Sequence, residues 1–374
     1  MSASPSFDRA RTRYLDLYIV VVTLALAAFG ILTVYSASGA GPLTPNSLAV
    51  RQGVYFILGI GLMVIFSLID YRVFRGVAPF LYAGCIALLA AVLVIGRTIN
   101  GAQRWFDLKV VTAQPSEIAK LGMIIGLAAF ISSRDAKMAR WYNFLLSLGI
   151  VALPALLIYK EPDLGTALVF VAIWAAMMGL SRTRLVYFAM LLVAAVPAAI
   201  LLWERLPAYQ KIRLDAFLDP TSPTNIRGEG YNIVQAQYSI AGGGITGNGI
   251  HGGPQSDGDF LKVRTTDFVF AHAAAMFGFL GCLALITLFM MLAWRYAKVV
   301  TTAGDSFGQL IAMGVTAHLL FQVIVNIGMN ARMMPVTGVP LPFISSGGSP
   351  LWALLVGQGL MQSILMRHQK FVIG

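Results

Sequence analysis

The sequence predicts an all-α integral membrane protein with about ten transmembrane helices, on three observations. Hydrophobic residues make up 58% of the chain and charged residues only 11%, where a soluble domain carries about 25% charged residues. Apolar runs long enough to cross the hydrocarbon core recur almost from end to end. Lys and Arg gather in alternate connections between those runs. So few charges cannot clothe a water-exposed surface, so lipid is the solvent. The apolar runs leave no room for a separate soluble domain, and residues 1–374 read as one polytopic unit.

A helix rises about 1.5 Å per residue, so about 20 apolar residues span the core. Runs of that kind place helices at 17–36, 50–69, 77–96, 116–132, 143–159, 164–180, 185–203, 267–294, 307–329 and 345–366. The first exceeds the about 7–15 apolar residues of a signal peptide and is followed by others, so it reads as an uncleaved helix. Residues 1–15 and 367–374 read as terminal tails. Residues 204–266 read as a long loop between the seventh and eighth helices. Its stretches Leu206 to Leu218 and Tyr231 to Ile240 are amphipathic, which predicts partial helix packed at a membrane surface.

Positive charge in short loops marks the cytoplasmic side. One side holds Arg9, Arg11, Arg13, Arg72, Arg75, Arg134, Lys137, Arg140, Arg182, Arg184, Arg295, Lys298, Arg367 and Lys370. Both termini therefore read as cytoplasmic, in the inner membrane. The connection 37–49 on the other side carries no charge. Two outer segments break the pattern: 97–115, with Arg97, Arg104 and Lys109, and 204–266, with Arg205, Lys211, Arg213, Arg227, Lys262 and Arg264. The outer face is thus the expected working face. The net charge of +11 reads as topology. Without a basic and aromatic stripe on a soluble domain, no nucleic-acid partner is expected. Cys85 and Cys282 lie inside apolar runs and read as packing residues.

Five strings carry candidate chemistry. The first is Gly101-Ala-Gln-Arg104-Trp105-Phe106 with Gln114-Pro115-Ser116-Glu117-Ile-Ala-Lys120. Ser116 or Gln114 suits a helix cap. Glu117 and Lys120 share a helix face and can pair, and ionisable groups at membrane depth mark cavities. Arg104 beside Trp105 suits an anionic headgroup, or equally an interfacial tryptophan with a snorkelling arginine. The second is Lys160-Glu161-Pro162-Asp163-Leu164-Gly165-Thr166, where Asp163 either caps the next helix or lines the same cavity. The third, Gly242 to Gly249 with His251-Gly-Gly253, suits a phosphate cradle or close loop packing. It lacks the ending and strand context of a P-loop.

The fourth string is Arg264-Thr-Thr-Asp267-Phe-Val-Phe-Ala271. Asp267 is either the cap of a long helix or a general base at the membrane mouth, with Lys262 and Arg264 beside it. The fifth runs from Asn326 through Arg332, Pro335, Gly338, Pro340 and Pro342 to Ser345, Ser346 and Ser349. Its prolines and glycines break the helix, and such backbone is tolerated at membrane depth only inside protein or against water. Arg332 there needs a phosphate or carboxylate partner. Ser345 and Ser346 join the substrate-binding candidates. His272 and His318 stand isolated on apolar helices without metal spacing and read as satisfied structural histidines.

Taken in order, these strings resemble the SEDS family of cell-wall proteins, the RodA/FtsW/SpoVE group, from Tyr14 to Arg367. The resemblance implies ten transmembrane helices and extracytoplasmic polymerisation of lipid II, with release of undecaprenyl pyrophosphate. It puts the essential aspartate at Asp267, the outer-loop tryptophan at Trp105, its neighbouring arginine at Arg104 and a lysine of the site at Lys120. The string Pro335 to Pro342 is similar to the rod-elongation branch, which implies a role in cell elongation and shape. The implied partners are a class B penicillin-binding protein and elongation-complex membrane proteins. A division-type polymerase, a lipid II flippase and a recruiting scaffold are the alternatives. No internal repeat of the transporter kind is evident. A divalent cation, Mg or Mn, is the one cofactor in view, and no organic cofactor is expected. Ala275 and Met276 stand where the family often has two glutamates, which bears on any cation site built from them. The last string reads Ser-Ser-Gly-Gly-Ser-Pro, where Ser-Tyr-Gly-Gly-Ser-Ser or Ser-Ala is usual.

Overall fold

The structure is a computed structural model that describes residues 15–99, 102–107, 112–204, 207–222, 224–225 and 228–367. Apart from Leu15 and Arg367, the two tails lie outside the described residues, as do Gly101, Lys109, Arg205 and Arg227.

Each apolar run is one helix. They are α1 (Leu17–Ala37), α2 (Leu48–Leu68), α3 (Val73–Ile95), α4 (Pro115–Arg134), α5 (Trp141–Lys160), α6 (Leu164–Leu180) and α7 (Leu185–Trp203). The long loop contributes α8 (Ala208–Leu218) and α9 (Glu229–Gly242), where its amphipathic stretches were placed. Then come α10 (Val269–Thr302), α11 (Ser306–Asn330) and α12 (Gly348–Arg367). Among the described residues, seven of these helices are long and apolar enough to cross a membrane, and α6 and the first part of α7 are shorter apolar helices. Ile57, Phe80, Val94 and Val193 point outward from their helices, each more than two-thirds exposed. Only lipid solvates such a surface, and the chain is a multi-pass α-helical membrane protein.

Helix ends differ from the sequence reading for physical reasons. α3 begins at Val73 and α10 runs to Thr302, because Arg75, Arg295 and Lys298 continue their helices past the apolar core. The bundle also carries a three-stranded antiparallel sheet, β1 (Arg97–Ile99), β2 (Ala102–Asp107) and β3 (Thr112–Ala113), in that order. Strands this short have too little alternation to be read from sequence.

Inside the bundle, α12 packs along α2, α3 along α4, and α10 against α1 and α11. Polar side chains lock the helices together. Asp16 caps α1 by accepting from the Tyr18 N–H at 3.0 Å and pairs with Arg295 on α10, while its backbone N–H donates to Gln362 Oε1 on α12 at 2.9 Å and its carbonyl accepts from Gln362 Nε2 at 3.0 Å. Gln358 Nε2 donates to Thr23 Oγ1 at 2.7 Å. Pro154 lies inside α5 and has no N–H for the Ile150 carbonyl. The Tyr82 hydroxyl on α3 donates to that carbonyl at 2.7 Å instead.

The glycine-rich string packs against a break in α10. Gly278, at φ +65°, breaks α10, a conformation that costs glycine little. The freed amides of Phe279 and Leu280 donate to the Gly244 and Ile245 carbonyls at 2.9 and 3.1 Å, and the Asn248 N–H donates to the Ala275 carbonyl at 2.9 Å. His272 meets Ser36 and Ser256, one on each ring nitrogen, at 2.9 Å. His318 differs from the expectation: its Nε2 is buried without a partner among the described residues. Both cysteines are free.

Gly165, in the first turn of α6, packs against the broken segment 331–347. A Cβ there would stand 2.4 Å from the Thr337 carbonyl. Gly165→Ala is expected to cost about 1–3 kcal/mol through overpacking, read as a lower melting temperature in detergent. An unchanged melt would mean that this backbone yields.

Candidate active site

Three helices begin at one place: α4, α6 and α12 present their first turns to a cavity of about 340 Å³, and Thr266 and Asp267, just before α10, complete its wall. Its wall includes Arg104, Trp105, Gln114, Glu117, Asp163, Thr166, Asp267 and Ser346. A helix N-terminus carries a partial positive charge, which favours an anion nearby, and Asp163 already takes the Thr166 N–H of α6.

Asp163 performs both tasks read for it. Its Oδ1 accepts from the Thr166 N–H at 3.0 Å and so caps α6. Its Oδ2 accepts from Arg104 Nη1 on β2 at 2.9 Å and from Gln114 Nε2 at 3.4 Å. The Arg104 Nε is buried without a hydrogen-bond partner among the described residues, and its side chain remains 29% exposed. Glu117 and Lys120 pair at 2.7 Å with side chains only 2% and 1% exposed. This is an ionic contact rather than an aligned hydrogen bond, since Glu117 Oε2 has no hydrogen-bond donor. Glu117 reaches the cavity wall and Lys120 stands behind it. Gln114 occupies the cap position of α4 and Pro115 its first turn, but neither Gln114 nor Ser116 makes a side-chain cap bond.

Asp267 is not a cap. Phe268 occupies the cap position of α10 and makes no side-chain cap bond. The Asp267 carbonyl instead accepts from Asn326 and Asn330 Nδ2 of α11, at 3.1 and 3.0 Å. Asn330 Oδ1 accepts from the Ala271 N–H at 3.0 Å, fixing the start of α10. Ser345 Oγ donates to the Thr266 carbonyl at 2.7 Å, and the Ser346 N–H donates to the Thr265 carbonyl at 2.9 Å. Gln52 of α2 holds that corner from behind, donating to the Ser345 carbonyl and accepting from the Gly347 N–H, both at 3.2 Å. The side chain of Asp267 is thereby left half-buried on the cavity wall. Burial raises its pKa, against the opposing pull of Arg213 on α8, Arg104 and a hydrogen bond from Thr266. Among the described residues it has no ion-pair partner.

Three candidates stand elsewhere. Arg264 pairs with Asp259 at 2.6 Å and donates from Nε to the Ala37 carbonyl at 2.7 Å, tying the loop before α10 to the end of α1. The Lys262 ammonium lies 6.0 Å from the Tyr231 ring centre. Arg332 is exposed at φ +57°, and no carboxylate pairs with it among the described residues. The structure adds Arg213, Gln114, Asn326, Asn330 and Gln52. Buried amides on apolar helices were the available signal, since each needs a partner.

Glu161 was also passed over. It is fully buried, and neither carboxylate oxygen finds a donor among the described residues. Burial first, then the Asp163 charge, push its pKa from 4.5 to about 8 against the pull of Arg104. A folded-state pKa raised above the unfolded one means that stability is full at low pH and falls as pH climbs from about 4.5 to about 8. Wild-type melting temperature in detergent should decline across that window, and Glu161→Gln should flatten it. Parallel curves would refute the buried, unpartnered carboxyl.

The fold and site define a polytopic membrane protein with a polar cavity at one end of its bundle and, among the described residues, one carboxylate free of ion pairing on its wall. Residues 16–370 match the family described as cell cycle protein, FtsW/RodA/SpoVE. The chain belongs to this family. It is 38% identical over 362 residues to the peptidoglycan glycosyltransferase MrdB of Escherichia coli K12, covering 96% of this chain and 95% of that protein. Stage V sporulation protein E of Bacillus subtilis is 32% identical over 363 residues, covering 95% and 98%. Among solved structures, a chain from a peptidoglycan synthase complex that coordinates polymerisation and crosslinking superposes with TM-score 0.83 at 31% identity, covering 96% and 99%. The rod shape determining protein RodA of Thermus thermophilus superposes with TM-score 0.70 at 30% identity, covering 94% and 97%.

Proposed function

We infer that the chain is a peptidoglycan glycosyltransferase that polymerises lipid II at the outer face of the cytoplasmic membrane, through ten membrane-crossing helices with both termini inside. The activity is the one its relatives carry in their names. The observation that supports the mechanism is Asp267, the cavity carboxylate without an ion-pair partner among the described residues, beside Arg104 and three helix N-termini.

Asp267 takes the proton from the acceptor sugar's 4-hydroxyl as that oxygen attacks the anomeric carbon of the donor. The bond from that carbon to the pyrophosphate oxygen breaks, and undecaprenyl pyrophosphate departs. A base works best with a pKa near the operating pH, the direction in which burial moves Asp267. Charge developing on the leaving oxygen meets Arg104 and the helix N-termini, groups fixed before reaction.

Among the described residues no three acidic, His or Cys side chains converge. Asp163 is committed to three donors and Glu117 to Lys120. Ala275 and Met276 are buried and apolar. A divalent cation enters this reading only as a companion of the substrate pyrophosphate, and no step is routed through it. Crosslinking falls to a class B penicillin-binding protein, and the string Pro335 to Pro342 favours the elongation complex over division.

The test is polymerisation of labelled lipid II by purified protein with its partner, the partner's transpeptidase site blocked. Glycan chains that vanish with Asp267→Asn support the reading. No chains from the wild type, with folding and partner binding verified, would overturn it in favour of transport or scaffolding.

A further inference from the structure

A second cavity, of about 400 Å³, lies at the opposite end of the bundle, between α3, α4 and α5. The catalytic cavity receives the start of α4, whereas this one is formed by the last turns of α4 and the first turns of α3. Its body is apolar: Ala78, Pro79, Ala129, Phe130 and Ile150 line it. Tyr82 closes its inner end, where the hydroxyl is occupied by the Ile150 carbonyl that Pro154 leaves open.

The mouth is cationic. Arg75 and Arg134 both line it. Arg134 is held over the Phe130 ring, 4.3 Å from guanidinium carbon to ring centre. Among the described residues neither arginine has an ion-pair partner. The acidic residues nearest them in sequence are engaged elsewhere, Asp135 with Arg182 at 3.6 Å and Asp70 with Arg367 at 3.4 Å. Two unneutralised guanidinium groups over an apolar slot match a molecule with one anionic head and an apolar tail. This end is also the one where Arg72, Lys137, Arg140 and Arg184 collect, the side that faces an anionic leaflet.

We propose that the cleft between α3, α4 and α5 binds an anionic glycerophospholipid of the cytoplasmic leaflet, its phosphodiester held by Arg75 and Arg134 and an acyl chain lying against Ala78, Ala129 and Phe130. Basic pockets between transmembrane helices bind such headgroups, and the cavity volume is that of a ligand site. The site lies outside the catalytic cavity, and its occupancy does not depend on the chemistry assigned there.

The experiment is native mass spectrometry of the full-length protein in detergent, titrated with phosphatidylglycerol or with phosphatidylcholine of the same acyl chains. Wild type is expected to retain one phosphatidylglycerol in preference to phosphatidylcholine. Each basic residue near an anionic headgroup is worth about fivefold in affinity. Arg75→Gln with Arg134→Gln should therefore weaken phosphatidylglycerol by about 25-fold and abolish the preference, while Arg134→Lys keeps most of it. Ala129→Phe, which fills the slot and leaves both arginines, should also lose the bound lipid. Melting in lipid-free detergent checks that each variant is folded. Glycerol phosphate, the headgroup without its tail, should fail to compete, and competition by it would make this a free-phosphate site. Equal retention of both lipids by wild type, or phosphatidylglycerol binding unchanged in both the double variant and Ala129→Phe, would overturn the proposal.

Discussion

Asp267→Asn is expected to reduce glycan polymerisation by about 10²–10⁴-fold and to raise the melting temperature slightly. Asn keeps the shape and the backbone anchors from Asn326 and Asn330, but cannot accept the hydroxyl proton. The stability sign follows from linkage. The folded-state pKa of Asp267 is raised, with burial the largest cause, so the folded protein holds that proton more tightly than the unfolded chain. Ionisation therefore costs stability as pH rises through the folded value, and at neutral pH the neutral amide removes that cost. For the same reason the acid limb of kcat/KM should fall above the ordinary carboxylate value of 3.8, with activity rising as the base ionises. A variant that loses activity and melts lower would point to a structural aspartate. A wild-type acid limb at or below the ordinary value would remove the tuned base.

Arg104→Ala is expected to lower kcat by about 10²–10³-fold, the usual cost of losing one fixed donor to a developing negative charge. Arg104→Lys should recover little. A guanidinium can engage Asp163 through Nη1 while other N–H groups face the cavity, whereas an ammonium is a point charge without that fork. The loss belongs in kcat, because the interaction strengthens as the pyrophosphate leaves. Asp163→Ala should instead combine two effects, a destabilisation of about 0.5–2 kcal/mol from the lost cap of α6 and a misplaced Arg104. Kinetics of the Arg104, Asp163 and double variants separate them: a pair acting as one unit gives a double variant little worse than Arg104→Ala alone. Strict additivity would mean that Arg104 works without its carboxylate.

Much of the scaffold was legible because hydropathy is local. An apolar run of membrane length is a helix wherever it lies, and the runs are helices within a few residues at most ends. The long loop was legible for the same reason, since α8 and α9 carry their amphipathic pattern in contiguous sequence. Features that depend on distant partners were not. The sheet at 97–113 has strands of two to six residues, and Gly278 looks like any glycine in a helix until Gly244 and Ile245 arrive to take its freed amides. Within the candidate site, Arg104, Trp105, Glu117, Asp163, Asp267 and Ser346 share one cavity as their strings suggested. Arg264 lies three residues from Asp267 in sequence, yet its guanidinium turns away to Asp259 and Ala37. Conversely, Gln52 supports the site from a helix whose sequence carries no motif, and Arg213 acts on Asp267 from a loop helix.

The three helix starts around the cavity have a further consequence for how the protein tolerates change. Their attraction for phosphate oxygens resides in peptide groups, so no codon encodes it and no side-chain replacement deletes it. It also does not titrate. A scan of the cavity will therefore tend to undercount the electrostatics of the site, because every single variant inherits the same backbone field. That inheritance gives lineages latitude. Side chains on the cavity wall can change while this backbone field stays in place.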